Sequence, residues 1–261
     1  MIKLIASDID GTLLSETARS IDPRLFQLIR AFRKRGIVFA AASGRQYANL
    51  RRLFAPVADE ISYICENGAL VIHNGSILFR DEVERGKGQE LMQKIMQVPQ
   101  CEALLSGVDT CYVQPKRQSY VDHLVHHVGN VTTIVDDLCA VEEPFLKISL
   151  YDPNGVDEAT HRYFNELVQP DMTAALGGRC WLDFFHSDVH KGTALAHLQG
   201  ALGITPEECM VFGDNENDIG LMRQAEHSYA MAGGHPRTLA EAKQWTDDVT
   251  ETLMRFLQQL D

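Results

Sequence analysis

The sequence predicts an α/β protein: a core built on a parallel sheet, interrupted by an inserted α+β domain. Three observations carry this. Over the first 72 residues, buried-looking apolar runs alternate with helical spacing. From about Val83 that rhythm gives way to a mixed order of strands and helices, and from Lys191 it returns.

"KLIAS" is a short apolar strand. "DPRLFQLIRAFRKRG" places Leu25, Leu28, Ile29 and Phe32 at i, i+3, i+4 and i+7, so one helix face is apolar. Asp22 suits its N-cap, Pro23 its first turn and Gly36 the position past its end. "IVFAAAS" is a second buried strand, "QYANLRRLF" a helix and "ISYIC" a third strand. Strand–helix–strand repetition implies parallel strands with right-handed crossovers. Asn74-Gly75, inside "ALVIHNGSILF", marks a hairpin.

Within the insert, helices are expected near 87–98, 117–128 and 155–167. Strands are expected near 102–106, 110–114, 131–135, 146–151, 172–176 and 180–185. "KGTALAHLQGALG" then resumes as a helix, "CMVFGD" as a buried strand, "ENDIGLMRQA" as a helix and "SYAMAG" as a strand. The expected division is residues 1–82 and 187–261 as core, with 83–186 inserted.

Bulk properties narrow the function. The chain has 261 residues, 45% of them hydrophobic and 23% charged, in the ordinary range for a globular protein. A formal net charge of −12 argues against nucleic-acid and anionic-membrane binding, which want a basic face, but leaves room for a small anionic substrate. Six cysteines without a C-x-x-C pair suit thiols in a reducing compartment. The start has too short an apolar run for a signal peptide, and no stretch is long and apolar enough for a membrane span. A cytoplasmic protein, monomeric or homodimeric, is expected.

Open α/β sheets bind ligands at the carboxyl ends of their strands. The first strand delivers Asp8, Asp10, Gly11 and Thr12; the second delivers Ser43, Gly44 and Arg45. Lys191 and Gly192 open the returning helix, and "GDNEND" follows "CMVF" with Asp214, Asn217 and Asp218. Asp8 and Asp10, at i and i+2, would each raise the other's pKa on one face of a strand unless a cation stood between them. Carboxylates alone favour a hard cation such as Mg²⁺. A lysine, a serine and exposed backbone N–H groups are what a phosphate needs. A carboxylate can also attack phosphorus, with a second acid moving protons.

Each motif has a duller explanation when taken alone. Two acids at a strand end make a turn and a helix cap, Ser43-Gly44 a turn, and Lys191 a solvated helix start. A cation at a helix N-terminus nevertheless opposes the macrodipole and points to a nearby anion. His123, His126 and His127 are read as a solvated helix face, and His186 and His190 as turn residues. Trp181, Phe184 and Phe185 are read as packing within and beside the insert, and Asp81, Glu82 and Glu84 as a solvated linker.

Together, "DIDGTL", "SGR", "KGTAL" and "GDNENDIGLM" resemble, in order, the four motifs of the haloacid dehalogenase-like hydrolase superfamily. "ENGA" after the third strand and the position of the insert resemble the Cof-type sugar phosphatase subfamily with an α+β (C2, type IIB) cap. The resemblance implies a Rossmann-like three-layer core, a cap that sets specificity, and a Mg²⁺-dependent phosphatase of small phosphorylated metabolites, sugar phosphates favoured. It makes Asp8 the nucleophile and Asp10 the general acid/base. It assigns Mg²⁺ to Asp8, the Asp10 carbonyl and Asp214, with Asp218 in support. Phosphate would be held by Ser43, Gly44, Lys191, the backbone at Ile9 and Asn217, while Arg45 and Asn67 would face the cap and substrate. A phosphosugar mutase on the same core is the nearest alternative, and a receiver-like phospho-aspartate signalling module is the alternative from another class.

Overall fold

The computed structural model describes residues 1–14 and 20–260. The described chain divides into two compact units. The first comprises Met1–Arg45, Leu50–Phe79 and the chain from His190 on; the second comprises Gln46–Asn49 and Arg80–Val189.

The chain begins with β1 (Leu4–Ser7), α1 (Pro23–Lys34), β2 (Val38–Ala42), α2 (Tyr47–Leu53), β3 (Ser62–Cys65), β4 (Leu70–His73) and β5 (Ser76–Arg80). There follow α3 (Arg85–Gln97), β6 (Glu102–Ser106), β7 (Cys111–Val113), α4 (Gln118–Asp122), β8 (Thr132–Ile134), β9 (Lys147–Tyr151), α5 (Glu158–Val168), β10 (Met172–Leu176) and β11 (Trp181–His186). The chain then runs through α6 (Lys191–Leu202), β12 (Cys209–Gly213), α7 (Ile219–Gln224), β13 (His227–Met231), α8 (Pro236–Glu241), β14 (Gln244–Thr246) and α9 (Val249–Gln258).

In the first unit, eight strands lie in the order β14-β13-β12-β1-β2-β3-β4-β5. The pairs from β14 to β3 are parallel, and β3–β4 is antiparallel. All four residues of β1 are buried, as expected of a central strand covered on both faces. α1 starts as its sequence predicts: Asp22 accepts the Arg24 N–H at 2.8 Å, and Leu25, Leu28, Ile29 and Phe32 are buried. Gly36, at φ +75°, takes the left-handed position past its end. The Asn74-Gly75 turn has both residues at positive φ (50° and 74°), the geometry that matches a hairpin's twist.

In the second unit, six strands lie in the order β10-β11-β9-β6-β7-β8, antiparallel except for β7–β8. Its own core joins Leu91 and Ile95 of α3 and Phe164 of α5 to Ile148, Leu182 and Phe184 of the sheet. Two details differ from expectation. The helix expected over 117–128 is α-helical only in α4 and continues as a π-helical turn, His123–Val128. His123 leaves the solvated face assigned to it: it is half-buried, its ring stacked 4.9 Å from that of Tyr151, beside Trp181. Glu84, read as linker, caps α3 by accepting the Gly86 and Lys87 N–H groups at 2.9 Å each. All six cysteines are thiols, and no helix among the described residues is long and apolar enough to cross a membrane.

Candidate active site

From β1 the chain proceeds to β2 and β3 on one side, whereas β12, β13 and β14 occupy the other. The direction of strand order therefore reverses at the β1–β12 pair, where α/β sheets open a crevice at their carboxyl ends. Register sets Ser7 against Phe212, and the next N–H, of Asp8, donates to the Phe212 carbonyl at 2.9 Å. Asp8 and Asp214 thus leave adjacent strands side by side. Gly11 turns the chain at φ +90°, and a Cβ there would lie 2.2 Å from Asp214 Oδ2, so only glycine fits. The Thr12 hydroxyl donates to Asp214 Oδ1 at 3.1 Å, a contact the sequence reading did not assign although "DGT" was in view.

Lys191 enters from α6. His190 caps this helix, its ring accepting the Thr193 N–H at 3.1 Å, and so serves the turn expected of it. Lys191 is 1% exposed, and its ammonium donates to Asp8 Oδ1 at 2.5 Å and to Asp218 Oδ1 at 2.7 Å. The anions implied by a lysine at a helix N-terminus are therefore these two carboxylates. Asp218, wholly buried, accepts the Asp214 and Asn215 N–H groups on Oδ2 at 3.0 and 3.1 Å, fixing the loop after β12. α6 can meet α7 this closely because Gly192 has no side chain: a Cβ would sit 2.4 Å from the Gly220 carbonyl oxygen.

Burial first, and then repulsion from Asp218, pushes the Asp8 carboxyl up to about 8 against the opposing pull of Lys191. Burial and Asp218 likewise raise Asp214. Burial works against the Lys191 charge, but Asp218 and Asp8 outweigh it and hold its pKa above the usual lysine value. The pocket is thus short of positive charge. Asp8 Oδ2 is buried without a hydrogen-bond partner among the described residues, and one oxygen from each of Asp8, Asp214 and Asp218 lies within 4.8 Å of the others. An orphaned carboxylate oxygen in an all-oxygen donor set fits a hard divalent cation such as Mg²⁺. Both Asp218 oxygens are already engaged, which suits a supporting position rather than a direct ligand.

The loops after β2 and β3 lock together. The Ser43 N–H donates to Ile64, the Asn67 N–H to the Ser43 carbonyl and the Glu66 N–H to the Arg45 carbonyl, at 2.9, 3.1 and 3.2 Å. A Cβ on Gly44 would meet Asn67 Oδ1 at 2.8 Å, so Asn67, itself at φ 58°, lies directly against that loop. Ser43 is buried, and its hydroxyl oxygen accepts the Arg45 N–H at 3.2 Å. Arg45 reaches Asp10 with two donors: Nε to Oδ2 at 2.8 Å and Nη2 to Oδ1 at 2.5 Å. Ile9 is buried and its carbonyl closes the turn by accepting from Leu13 and Leu14 at 2.9 and 2.8 Å. Asn217 is exposed on the short turn Glu216–Asp218, outside the buried cluster.

Comparisons with known proteins bear on the family and the fold. The profile of a family described as haloacid dehalogenase-like hydrolase matches residues 5–253. The chain is 30% identical over 242 residues to the 5-amino-6-(5-phospho-D-ribitylamino)uracil phosphatase YbjI of Escherichia coli, covering 93% of this chain and 89% of that one. It is 27% identical to an HMP-PP phosphatase of Enterobacter, covering 92% and 88%. A solved structure from Eubacterium rectale superposes with a TM-score of 0.88 at 28% identity, covering 98% and 99%. The subclass IIB sugar phosphatase BT4131 shares the fold, with a TM-score of 0.81 at 20% identity, covering 97% and 98%.

Proposed function

We propose, for a chain that belongs to the haloacid dehalogenase-like hydrolases and is a phosphatase of small phosphorylated metabolites, that it is Mg²⁺-dependent, acts through an aspartyl phosphate on Asp8, and takes phosphorylated polyols or sugars. The observation that carries this reading is the buried Asp8, held by Lys191 on one oxygen and left without a hydrogen bond on the other. The Escherichia coli relative, named for a phosphoribitylamino compound, supports a phosphorylated polyol chain as the substrate class.

Asp8, the Asp10 carbonyl and Asp214 would hold Mg²⁺, supported by Asp218. When bound, the ion supplies positive charge that keeps Asp8 ionised and neutralises phosphoryl oxygens. Lys191 fixes Asp8 Oδ1 and, with the Ser43–Gly44 loop, binds the phosphoryl group. Asp8 attacks phosphorus in line while Asp10 gives a proton to the departing alcohol oxygen. Water then attacks phosphorus, and Asp10 takes its proton back. The inserted unit is the proposed source of contacts to the leaving alcohol and hence of specificity.

The test is phosphate release from a panel of phosphorylated polyols, sugars and nucleotides, with and without Mg²⁺. Asp8→Asn should abolish release while melting cooperatively; native rates in that variant would refute the mechanism. Isomer interconversion without phosphate release would make the protein a mutase.

A further inference from the structure

We infer that Arg45 is a positioning residue for the second half of this reaction, aiming Asp10 as the base that takes a proton from the hydrolytic water. The inference rests on the phosphatase reading above. Its basis is the two-point pair between the Arg45 guanidinium and the Asp10 carboxylate, at 2.8 and 2.5 Å. A guanidinium fork sets the plane of a carboxylate as well as its distance, which a single ammonium cannot do. Asp10 needs such a device. Its side chain is 55% exposed, unlike that of Asp8, so packing does not select its rotamer.

Arg45 is itself anchored at both backbone groups. Its N–H donates to the Ser43 hydroxyl at 3.2 Å, and its carbonyl accepts the Glu66 N–H at 3.2 Å. The interlocked loops after β2 and β3 therefore aim a side chain that belongs to the loop after β1.

Both Asp10 oxygens accept N–H groups of Arg45, which fixes the direction in which their remaining lone pairs point. In the step concerned, the water oxygen bonds to phosphorus and the bond from phosphorus to the Asp8 oxygen breaks. The electron pair of that bond returns to the Asp8 carboxylate. One water proton passes to Asp10, and the other leaves on the phosphate. Arg45 aims the same carboxyl in both halves, and a substrate whose leaving group needs no proton isolates its part in the second.

p-Nitrophenyl phosphate separates the halves, because p-nitrophenolate departs without needing a proton. Mixed rapidly with this substrate and Mg²⁺, Arg45→Gln should release a burst of p-nitrophenolate larger than the native protein's, approaching one equivalent per site. A steady rate about 10–100-fold below native should follow, less than the ~10²–10⁴ that acid–base catalysis supplies in full, because Asp10 itself remains. Arg45→Lys, which keeps the charge and loses the fork, should fall between, and its burst decides the matter if Arg45→Gln fails to fold. Slow turnover without an enlarged burst would overturn the inference, as would a raised KM with kcat retained, the mark of a substrate contact. Turnover by Asp8→Asn would sink the phosphatase mechanism itself; an inactive Asp8→Asn with no enlarged burst in either Arg45 variant would sink this inference alone.

Discussion

Replacing Lys191 by methionine would leave Asp8 and Asp218 buried with no cation between them. Breaking a buried pair from one side costs about 3–5 kcal/mol, because the remaining charge keeps its desolvation penalty. Lys191→Met should therefore lower the urea midpoint and cut phosphate release at least ~100-fold; a native midpoint at pH 8 would contradict the pairing. Asp8 supplies a second residue-scale prediction. Its carboxyl titrates at about 8 in the fold against an ordinary 3.8, so the native state holds the extra proton between those values. The stability this contributes is complete below about pH 4 and is lost as pH rises towards 8. In chelator, the native protein should thus lose stability over that window, and Asp8→Asn, with nothing to titrate there, should show a flatter curve. Added Mg²⁺ should raise the melting temperature more at pH 8 than at pH 5, since its ligands must be deprotonated. Asp8, Asp214 and Lys191 were legible in the sequence because each follows or opens a recognisable element. The Arg45–Asp10 and Thr12–Asp214 contacts were not, because a side chain's choice of partner across two loops leaves no spacing to read.

At the scale of elements, close approach and capping decide stability. Gly192→Ala would force a methyl group to 2.4 Å from a backbone oxygen of α7, which cannot move aside as a side chain can. A loss of about 1–3 kcal/mol is expected, and because Lys191 moves with the helix, activity should fall further than stability does. Guanidinium denaturation paired with kcat checks both. Glu84→Ala removes the cap of α3 and should cost ~0.5–2 kcal/mol while leaving kcat near native. The sheet strands and long helices were readable from their apolar runs and spacing, and at α1 the caps agreed as well. The π-helical turn was not. Its extra residue per turn carries no sequence period and is settled by the packing of His123 against Tyr151 and Trp181.

For the molecule as a whole, the two units carry separate apolar cores: Leu91, Phe164 and Phe184 in one, Leu4, Val211 and Leu195 in the other. A segment of this size with its own core can fold alone. Residues 80–189, expressed by themselves, should give a cooperative thermal melt and dispersed amide resonances; a non-cooperative melt would show that they depend on the rest. The insertion was legible as a change of rhythm near Val83 and its return at Lys191. The assignment of Gln46–Asn49 to the second unit was not, since an amphipathic turn does not declare which core it serves. One consequence follows from the place of β5, the last strand of the eight. The chain leaves the first unit from this rim and returns at His190, so β1 and β2 pair with each other before the detour and β1 pairs with β12 across it, all within the first unit. On the proposed function, exchanging the insert for another of different shape would retune which alcohol is released and leave the phosphorus chemistry intact, as a tool takes a new head on the same handle.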